Sequence, residues 1–160
     1  MMGIGMGLLT ACTSPEGRPP AGVASGRFVA YVDGAHADTL TGTATLRRSN
    51  GDVVALELNV DSTAGISVQL DPRDETRRTY TALDPTLLAM DRPGDPPGMV
   101  AFLETQWGTF QSTHGRLKLS YVAADAVGGT FTWDMEGTLT GIPANRSSVQ
   151  VTGRVHAVGQ

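Results

Sequence analysis

Apolar and polar residues alternate with a period of two over most of the chain after Gly26. This is the pattern of strands with one buried and one solvated face, so it predicts antiparallel sheet. No segment sustains an amphipathic helix, although 85–90 could form one or two helical turns with Asp84 as N-cap. The alternation is clearest at 54–60, 66–70, 117–121, 131–135 and 149–151.

Turn signals recur about every eight to twelve residues and divide the chain into roughly nine strands. One of them, 79–83, lies between two polar, proline-rich stretches and is predicted to be an edge strand. Short antiparallel strands in this number build a sandwich or a partly closed barrel, and the pattern leaves both open. We therefore expect a single, meander-rich all-β domain over 27–160, following a disordered N-terminal tether.

The pair Asn50-Gly51 predicts a hairpin turn. A two-residue loop would put Leu46 opposite Ala55 and would turn the larger apolar residues of the second strand away from the core. We therefore predict a three-residue loop from Ser49 to Gly51, with Gly51 at positive φ. This loop would place Leu46 opposite Val54.

The last third of the chain predicts a three-strand meander over 115–122, 128–140 and 148–158. Odd-numbered residues form its expected inward face, which makes Trp133 a core residue. The predicted inward residues are Leu117, Leu119, Tyr121, Phe131, Trp133, Met135, Leu139, Val149, Val151 and Val155.

The N-terminal segment differs from the rest of the chain in composition. Residues 1–11 are mostly apolar, contain no Lys or Arg, and end at the only cysteine, Cys12. Residues 13–26 are rich in Pro and Gly and have little apolar surface to bury, which is typical of a flexible linker. Fully extended, such a linker would reach roughly 40 Å at about 3.1 Å per residue.

The tetrapeptide Leu9-Thr10-Ala11-Cys12 resembles the lipobox of bacterial lipoproteins. The resemblance implies that the Cys12 thiol carries a diacylglycerol and that the preceding peptide is removed. It also implies a lipid-anchored position on the bacterial cell envelope, facing the periplasm or the exterior. Residues 1–11 would then be the remnant of a signal peptide whose basic start lies upstream. Cys12 is therefore the predicted lipidation site, and the membrane is its predicted partner.

A second resemblance covers about the last third of the chain. The segments Gly-Arg-Leu-Lys-Leu (115–119), Val-Gly-Gly-Thr-Phe-Thr-Trp (127–133) and Val-Thr-Gly-Arg-Val (151–155) are similar to a recurring pattern in small uncharacterised bacterial lipoproteins. That resemblance implies a lipid-anchored all-β domain with no established activity. It supplies no catalytic residues to transfer to this chain.

Composition and charge argue against two classes of protein. The net charge is −4, the isoelectric point is near 5.2, and the basic residues form no dense cluster, so nucleic-acid binding is not expected. With a single cysteine the chain cannot form an internal disulfide, which argues against a small disulfide-stabilised scaffold.

The histidines provide no recognisable metal motif. His36, His114 and His156 lie in different predicted elements and lack the spacing of a zinc site. The loop 33–38 adds two carboxylates to His36 and could ligate a cation such as Ca²⁺. Its spacing matches no calcium motif, so we expect a solvated turn, and we predict neither a metal nor a cofactor.

Two acids and one tryptophan are the other candidates for functional residues. Asp134 and Glu136 share a strand face about 7 Å apart, a spacing that glycosidases use. Alternation puts both on the solvated face opposite Trp133, and the histidines are expected on other strands and loops. The alternation does not decide whether Trp107 faces the core or the solvent, and Trp107 is the candidate for an exposed aromatic contact. No Gly-x-Ser-x-Gly motif for a serine nucleophile is present.

The sequence therefore favours a lipid-anchored envelope protein with a binding or structural role, and it does not reveal a biochemical activity. Two alternatives stay open. A closed barrel could enclose a small apolar ligand, and surface carboxylates could serve a hydrolase. An empty barrel interior would favour the first alternative, and convergent acidic or histidine side chains in a cleft would favour the second.

Overall fold

The computed structural model describes residues 15–71, 78–85, 97–142 and 146–160. Within these ranges the chain forms nine strands, which confirms the predicted all-β class. The strands are β1 (Arg27–Gly34), β2 (Asp38–Ser49), β3 (Asp52–Asn59), β4 (Gly65–Leu70), β5 (Arg78–Ala82), β6 (Gly98–Thr105), β7 (Gly108–Val122), β8 (Ala126–Leu139) and β9 (Ser147–Gly159). Most of the helical turns predicted at 85–90 lie outside the described residues.

The strands close into a barrel in the order β1-β2-β3-β4-β6-β5-β7-β8-β9, and β9 pairs with β1. Neighbouring strands are antiparallel, except for β5 beside β6 and a two-residue contact between β2 and β9. Two meanders, β1 to β4 and β7 to β9, supply most of the wall. Of the two architectures that the sequence leaves open, the structure has the barrel, whose closure removes the exposed sheet edges.

Strand β5 is not the predicted edge strand. It pairs with β7 on one side and with the start of β6 on the other. Strands β6 and β7 pair directly near their common turn and then diverge, and β5 enters the gap between them. Beside this fork Oγ of Ser112, which is 2% exposed, accepts the amide hydrogen of Ala101 at 2.9 Å. That bond satisfies a buried backbone donor.

The β2–β3 hairpin differs from the predicted register. Its loop has two residues, Asn50 and Gly51, with φ of 52° and 88°. A bulge beside Arg47 then shifts the pairing, so that Leu46 lies opposite Leu56. The predicted three-residue loop is therefore wrong. The one-residue shift that keeps the apolar side chains of β2 and β3 on the same face comes from a bulge within the strands and not from a longer loop.

The C-terminal meander carries the predicted inward face. Trp133 is 0% exposed, stacks on Phe131 with ring centroids 4.3 Å apart, and donates its indole N–H to the sulfur of Met99 at 3.2 Å. Of the predicted inward residues, Tyr121 and Leu139 are only half-buried. Tyr121 follows a register shift in β7, which changes the phase of the strand.

Large side chains from all around the wall fill the barrel interior, so it is a packed core. The largest side chains with almost no exposure are Trp133, Phe28, Phe110, Leu56, Leu58, Ile66, Met99, Leu103, Leu117, Met135, Val68 and Val100.

The antiparallel order fixes which turns share an end of the barrel. The β1–β2, β3–β4, β6–β7 and β8–β9 connections lie at one end, which we call the tryptophan end because Trp107 lies in the β6–β7 turn. The β2–β3 and β7–β8 turns lie at the opposite end. There Arg48 donates to the carbonyl oxygen of Ala123 at 3.2 Å and ties these two turns together.

Candidate functional site

The predicted lipidation site, Cys12, lies outside the described residues, as does the predicted signal-peptide remnant at 1–11. In the part of the chain that the structure describes, no helix is both long enough and apolar enough to cross a membrane. The first described residue, Pro15, follows Cys12 by three positions. The chain from this point to β1 is therefore the part that links the predicted anchor to the barrel.

Residues 15–26 run along the outside of the barrel, and we call them the strap. Glu16 forms an isolated antiparallel bridge with Val122, the last residue of β7. The Glu16 amide donates to the Val122 carbonyl at 2.8 Å, and the Val122 amide donates back at 2.9 Å. The strap begins at the β2–β3 and β7–β8 end of the barrel, which we therefore call the strap end.

Two further hydrogen bonds hold the strap where it passes β9. The guanidinium of Arg154 donates to the carbonyl oxygen of Ala21 at 3.0 Å, and the amide of Gly26 donates to the carbonyl oxygen of His156 at 2.8 Å. Residues 15–26 thus differ from the flexible linker that their composition predicts. Their backbone groups bond to the barrel, so this segment does not extend away from the barrel as a free linker would.

Trp107 closes the tryptophan end of the barrel. Its indole ring is half-buried, packs against the core and lies 5.5 Å from the ring of Phe110. The imidazole of His36 stacks on it, with ring centroids 4.1 Å apart and planes inclined by 21°. The indole N–H donates to Oδ2 of Asp38 at 3.1 Å. One aromatic face is therefore already covered, and the contact role predicted for Trp107 stays a prediction.

The acids of the loop 33–38 bond to local donors. Oδ1 of Asp33 accepts the amide hydrogen of Gly34 at 2.9 Å, and Oδ1 of Asp38 accepts that of Thr39 at 2.8 Å. Across the described ranges, no group of three or more His, Cys, Asp or Glu side chains is arranged to hold a metal ion.

An open groove of about 460 Å³ lies on the outer surface of β1, β7, β8 and β9. It is lined by His114, Asp134, Glu136 and Asp33, and we call it the acidic groove. The exposed positions of Asp134 and Glu136 agree with the predicted solvated face. His114 lies on β7, a different strand from these acids as expected, but its backbone lies directly opposite Asp134 across the β7–β8 pair.

Within the described residues, the titratable side chains of the acidic groove bond to other groups and not to one another. Gln150 donates to Oδ1 of Asp134 at 3.3 Å, and Arg146 forms an ion pair with Glu136 at 3.3 Å. Nδ1 of His114 lies 3.3 Å from the hydroxyl oxygen of Thr113. Acid–base catalysis needs two such groups directed at one reacting atom. This arrangement instead presents separate polar groups to solvent.

The remaining histidine lies elsewhere. His156 is buried, at 9% exposure, and its ring makes an edge-on contact with Tyr121 at 5.4 Å. The three histidines therefore occupy three different places: the tryptophan end, the acidic groove and the barrel wall beside the strap. They do not combine into one site.

A second polar groove, of about 510 Å³, lies beside the β3–β4 turn and includes Asp61 and Glu104. The backbone N–H and the hydroxyl of Thr63 donate to Oδ1 of Asp61 at 2.7 and 2.8 Å. These bonds favour the ionised carboxylate and hold the pKa of Asp61 below its usual range. The bonds close a local turn and recruit no residue from another strand.

No family model, no curated protein and no solved structure matches this chain. The functional assignment therefore depends on the residues described above. Sequence reasoning did not identify the strap or the proximity of His114 to Asp134. The strap is attached largely through backbone groups, which leave no side-chain pattern. The sequence contained one signal for the groove: His114 and Asp134 both occupy even-numbered positions, and the even-numbered positions of the predicted meander form its expected outward face.

Proposed function

We propose that this chain is a lipid-anchored protein of the bacterial envelope and that its barrel is a non-enzymatic binding or structural module. The lipobox-like sequence at Cys12 supports the anchor. The packed interior of the barrel supports a binding or structural role. Because side chains fill the interior, only the outer surface and the loops are open to contact with other molecules. The barrel wall itself then serves as a rigid scaffold.

The same observation weighs against a small apolar ligand in the interior. Barrels that hold such a ligand keep a space inside the wall, whereas here Trp133, Phe28 and Phe110 fill the interior together with aliphatic side chains. The side chains of His114, Asp134 and Glu136 in the acidic groove are exposed and separately bonded, which supports a role without catalysis.

One observation favours a hydrolase as the second candidate: His114 and Asp134 face one another in an open groove with two further carboxylates. His114→Gln and Asp134→Asn keep the size of each side chain and remove its acid–base chemistry. A hydrolase that depends on either group would lose about a hundredfold or more of its activity. A binding or structural module would retain its biological role in both variants.

Two measurements test the proposal. Cells expressing Cys12→Ser should contain the protein in the soluble fraction, whereas the wild-type protein should sediment and float with membranes. A wild-type protein that is soluble and unprocessed would refute the anchor. Separately, each groove variant should complement a deletion of the gene when expressed at the wild-type level. Loss of complementation by a folded, anchored His114→Gln protein would refute the non-enzymatic role.

A further inference from the structure

The attachment of the strap fixes the distance between the predicted anchor and the barrel. Only the residues from Cys12 to Glu16 separate the lipid from the first bond to Val122, a span of four residues. Four extended residues reach at most about 14 Å. A free linker from Cys12 to Arg27 would let the barrel tumble, whereas this short connection holds the strap end next to the lipid.

The charges of the described residues are divided between the two ends. Acids dominate the tryptophan-end half, where Arg146 is the one cation in the described ranges. These acids are Asp33, Asp38, Glu57, Asp61, Glu104, Asp134 and Glu136. In the strap-end half the described cations outnumber the acids. The cations are Arg18, Arg27, Arg47, Arg48, Arg116, Lys118 and Arg154, and the acids are Glu16, Asp52, Asp71, Asp84 and Asp125.

This division of charge agrees with the direction set by the strap. An anionic lipid surface attracts arginine and repels carboxylates over roughly a Debye length, about 8 Å at physiological salt. Arg18 and Arg47 are exposed near the strap end, and no hydrogen bond or ion pair within the described part of the chain involves their side chains. They are therefore available to lipid headgroups.

We infer that the barrel stands on the membrane with its strap end against an anionic lipid surface and its acidic tryptophan end directed away. This inference rests on the proposed lipid anchor at Cys12. It assigns the strap end as a lipid-facing surface. It also leaves the acidic groove and the His36–Trp107 pair on the side that other envelope molecules reach.

Matched probes at the two ends test this orientation. Ser49 ends β2 at the strap end and Ser62 lies in the β3–β4 turn at the tryptophan end, and both side chains are exposed. They lie at opposite ends of β3, roughly 20 Å apart along the barrel axis. The lipid occupies the Cys12 thiol, so a fluorophore can be attached separately at Ser49→Cys or Ser62→Cys in the full chain purified from membranes.

The labelled proteins are inserted into phosphatidylglycerol-containing vesicles that carry a nitroxide on the lipid headgroup. We expect headgroup quenching to be several-fold stronger at position 49 than at position 62. Equal quenching, or stronger quenching at position 62, would overturn the orientation. A wild-type protein that does not float with vesicles would instead refute the proposed anchor, so the two failures are distinguishable.

A strap variant tests the cause of the orientation. A Cβ at Gly128 would lie 2.7 Å from Cδ of Pro20, so Gly128→Ala should displace the strap. The control is Gly159→Ala, since a Cβ there would meet its nearest neighbour at an ordinary 3.6 Å. Faster hydrogen exchange at the Glu16 amide reports displacement. If the strap stays bound, replacing residues 17–22 by a Gly-Ser linker of equal length serves as the second variant.

In the displaced variant, and not in the control, the difference in quenching between positions 49 and 62 should disappear. A displaced strap with the difference intact would overturn the strap as the cause of the orientation.

Discussion

The indole N–H of Trp107 donates to Oδ2 of Asp38 across the tryptophan end of the barrel, at 3.1 Å, although the two residues are 69 positions apart in sequence. The bond joins the β6–β7 turn to the first residue of β2. Stacking of His36 on the same indole adds the β1–β2 loop to this contact. One side chain therefore connects distant turns and covers the core at this end.

The Trp107–Asp38 pair should be energetically coupled. In a double-mutant cycle, Trp107→Phe removes the donor and keeps most of the ring, while Asp38→Ala removes the acceptor. We expect a coupling of about 0.5–1 kcal/mol in the free energy of unfolding, because the bond is exposed to solvent. The cycle Trp107→Phe with Asp33→Ala is the control and should show no coupling. Additive effects in the first cycle would mean that the bond is not made in solution.

Trp133 should be among the most costly residues to truncate. Trp133→Ala removes a completely buried indole that stacks on Phe131 and bonds to Met99, so unfolding should require about 3–5 kcal/mol less. Chemical denaturation measures this loss. Tyr31→Ala, which truncates an aromatic residue that is 47% exposed, should cost about 1 kcal/mol or less. Similar losses in both variants would contradict the assigned faces of the sheet.

Ser112 should matter for stability because of its hydroxyl. Ser112→Ala leaves the buried amide of Ala101 without its acceptor, so we expect a loss of about 1–3 kcal/mol. The exposed Ser148→Ala is the matched control and should change stability by about 0.5 kcal/mol at most. Equal stability of the two variants would show that another group or water satisfies the amide.

Asp61 should titrate below the usual aspartate range. Because its folded-state pKa is lowered, its stabilising contribution is present above the unfolded pKa and is lost as the pH falls through the folded pKa. Carboxyl NMR titration should place the Asp61 midpoint low. Thr63→Ala removes one of the two donors and should raise the midpoint, whereas Ser62→Ala should leave it in place. An unshifted midpoint in Thr63→Ala would exclude the hydroxyl as a cause.

The sequence predicted the fold best where alternation is long and unbroken. Phe131, Trp133 and Met135 share one phase through the middle of β8, and all three are buried. Prediction failed where a bulge changes the phase. The bulge beside Arg47 restores the β2–β3 register within the strands, and alternation alone does not show where such an extra residue lies. Strand β1 is absent from the predicted strands, although its alternate residues are buried.

Contacts between segments that are far apart in the sequence were the other feature that the sequence did not predict. The insertion of β5 between β6 and β7 depends on pairing between distant segments, which local periodicity does not encode. His114 lies opposite Asp134 through the long-range pairing of β7 with β8, whose register shifts between Leu119 and Tyr121 before this pair is reached from the turn. The strap was predicted as a linker because Pro and Gly give it little to bury, yet the bonds that fix Glu16 and Gly26 use backbone groups.

We propose above all that the mature protein is a lipoprotein anchored through Cys12. The most direct test of this proposal is the intact mass of the protein purified from the membranes of the cells that naturally make it. We predict a chain that begins at Cys12, lacks residues 1–11, and carries the added mass of a diacylglycerol with or without a further acyl chain. A chain that retains residues 1–11 and has an unmodified Cys12 thiol would contradict the account.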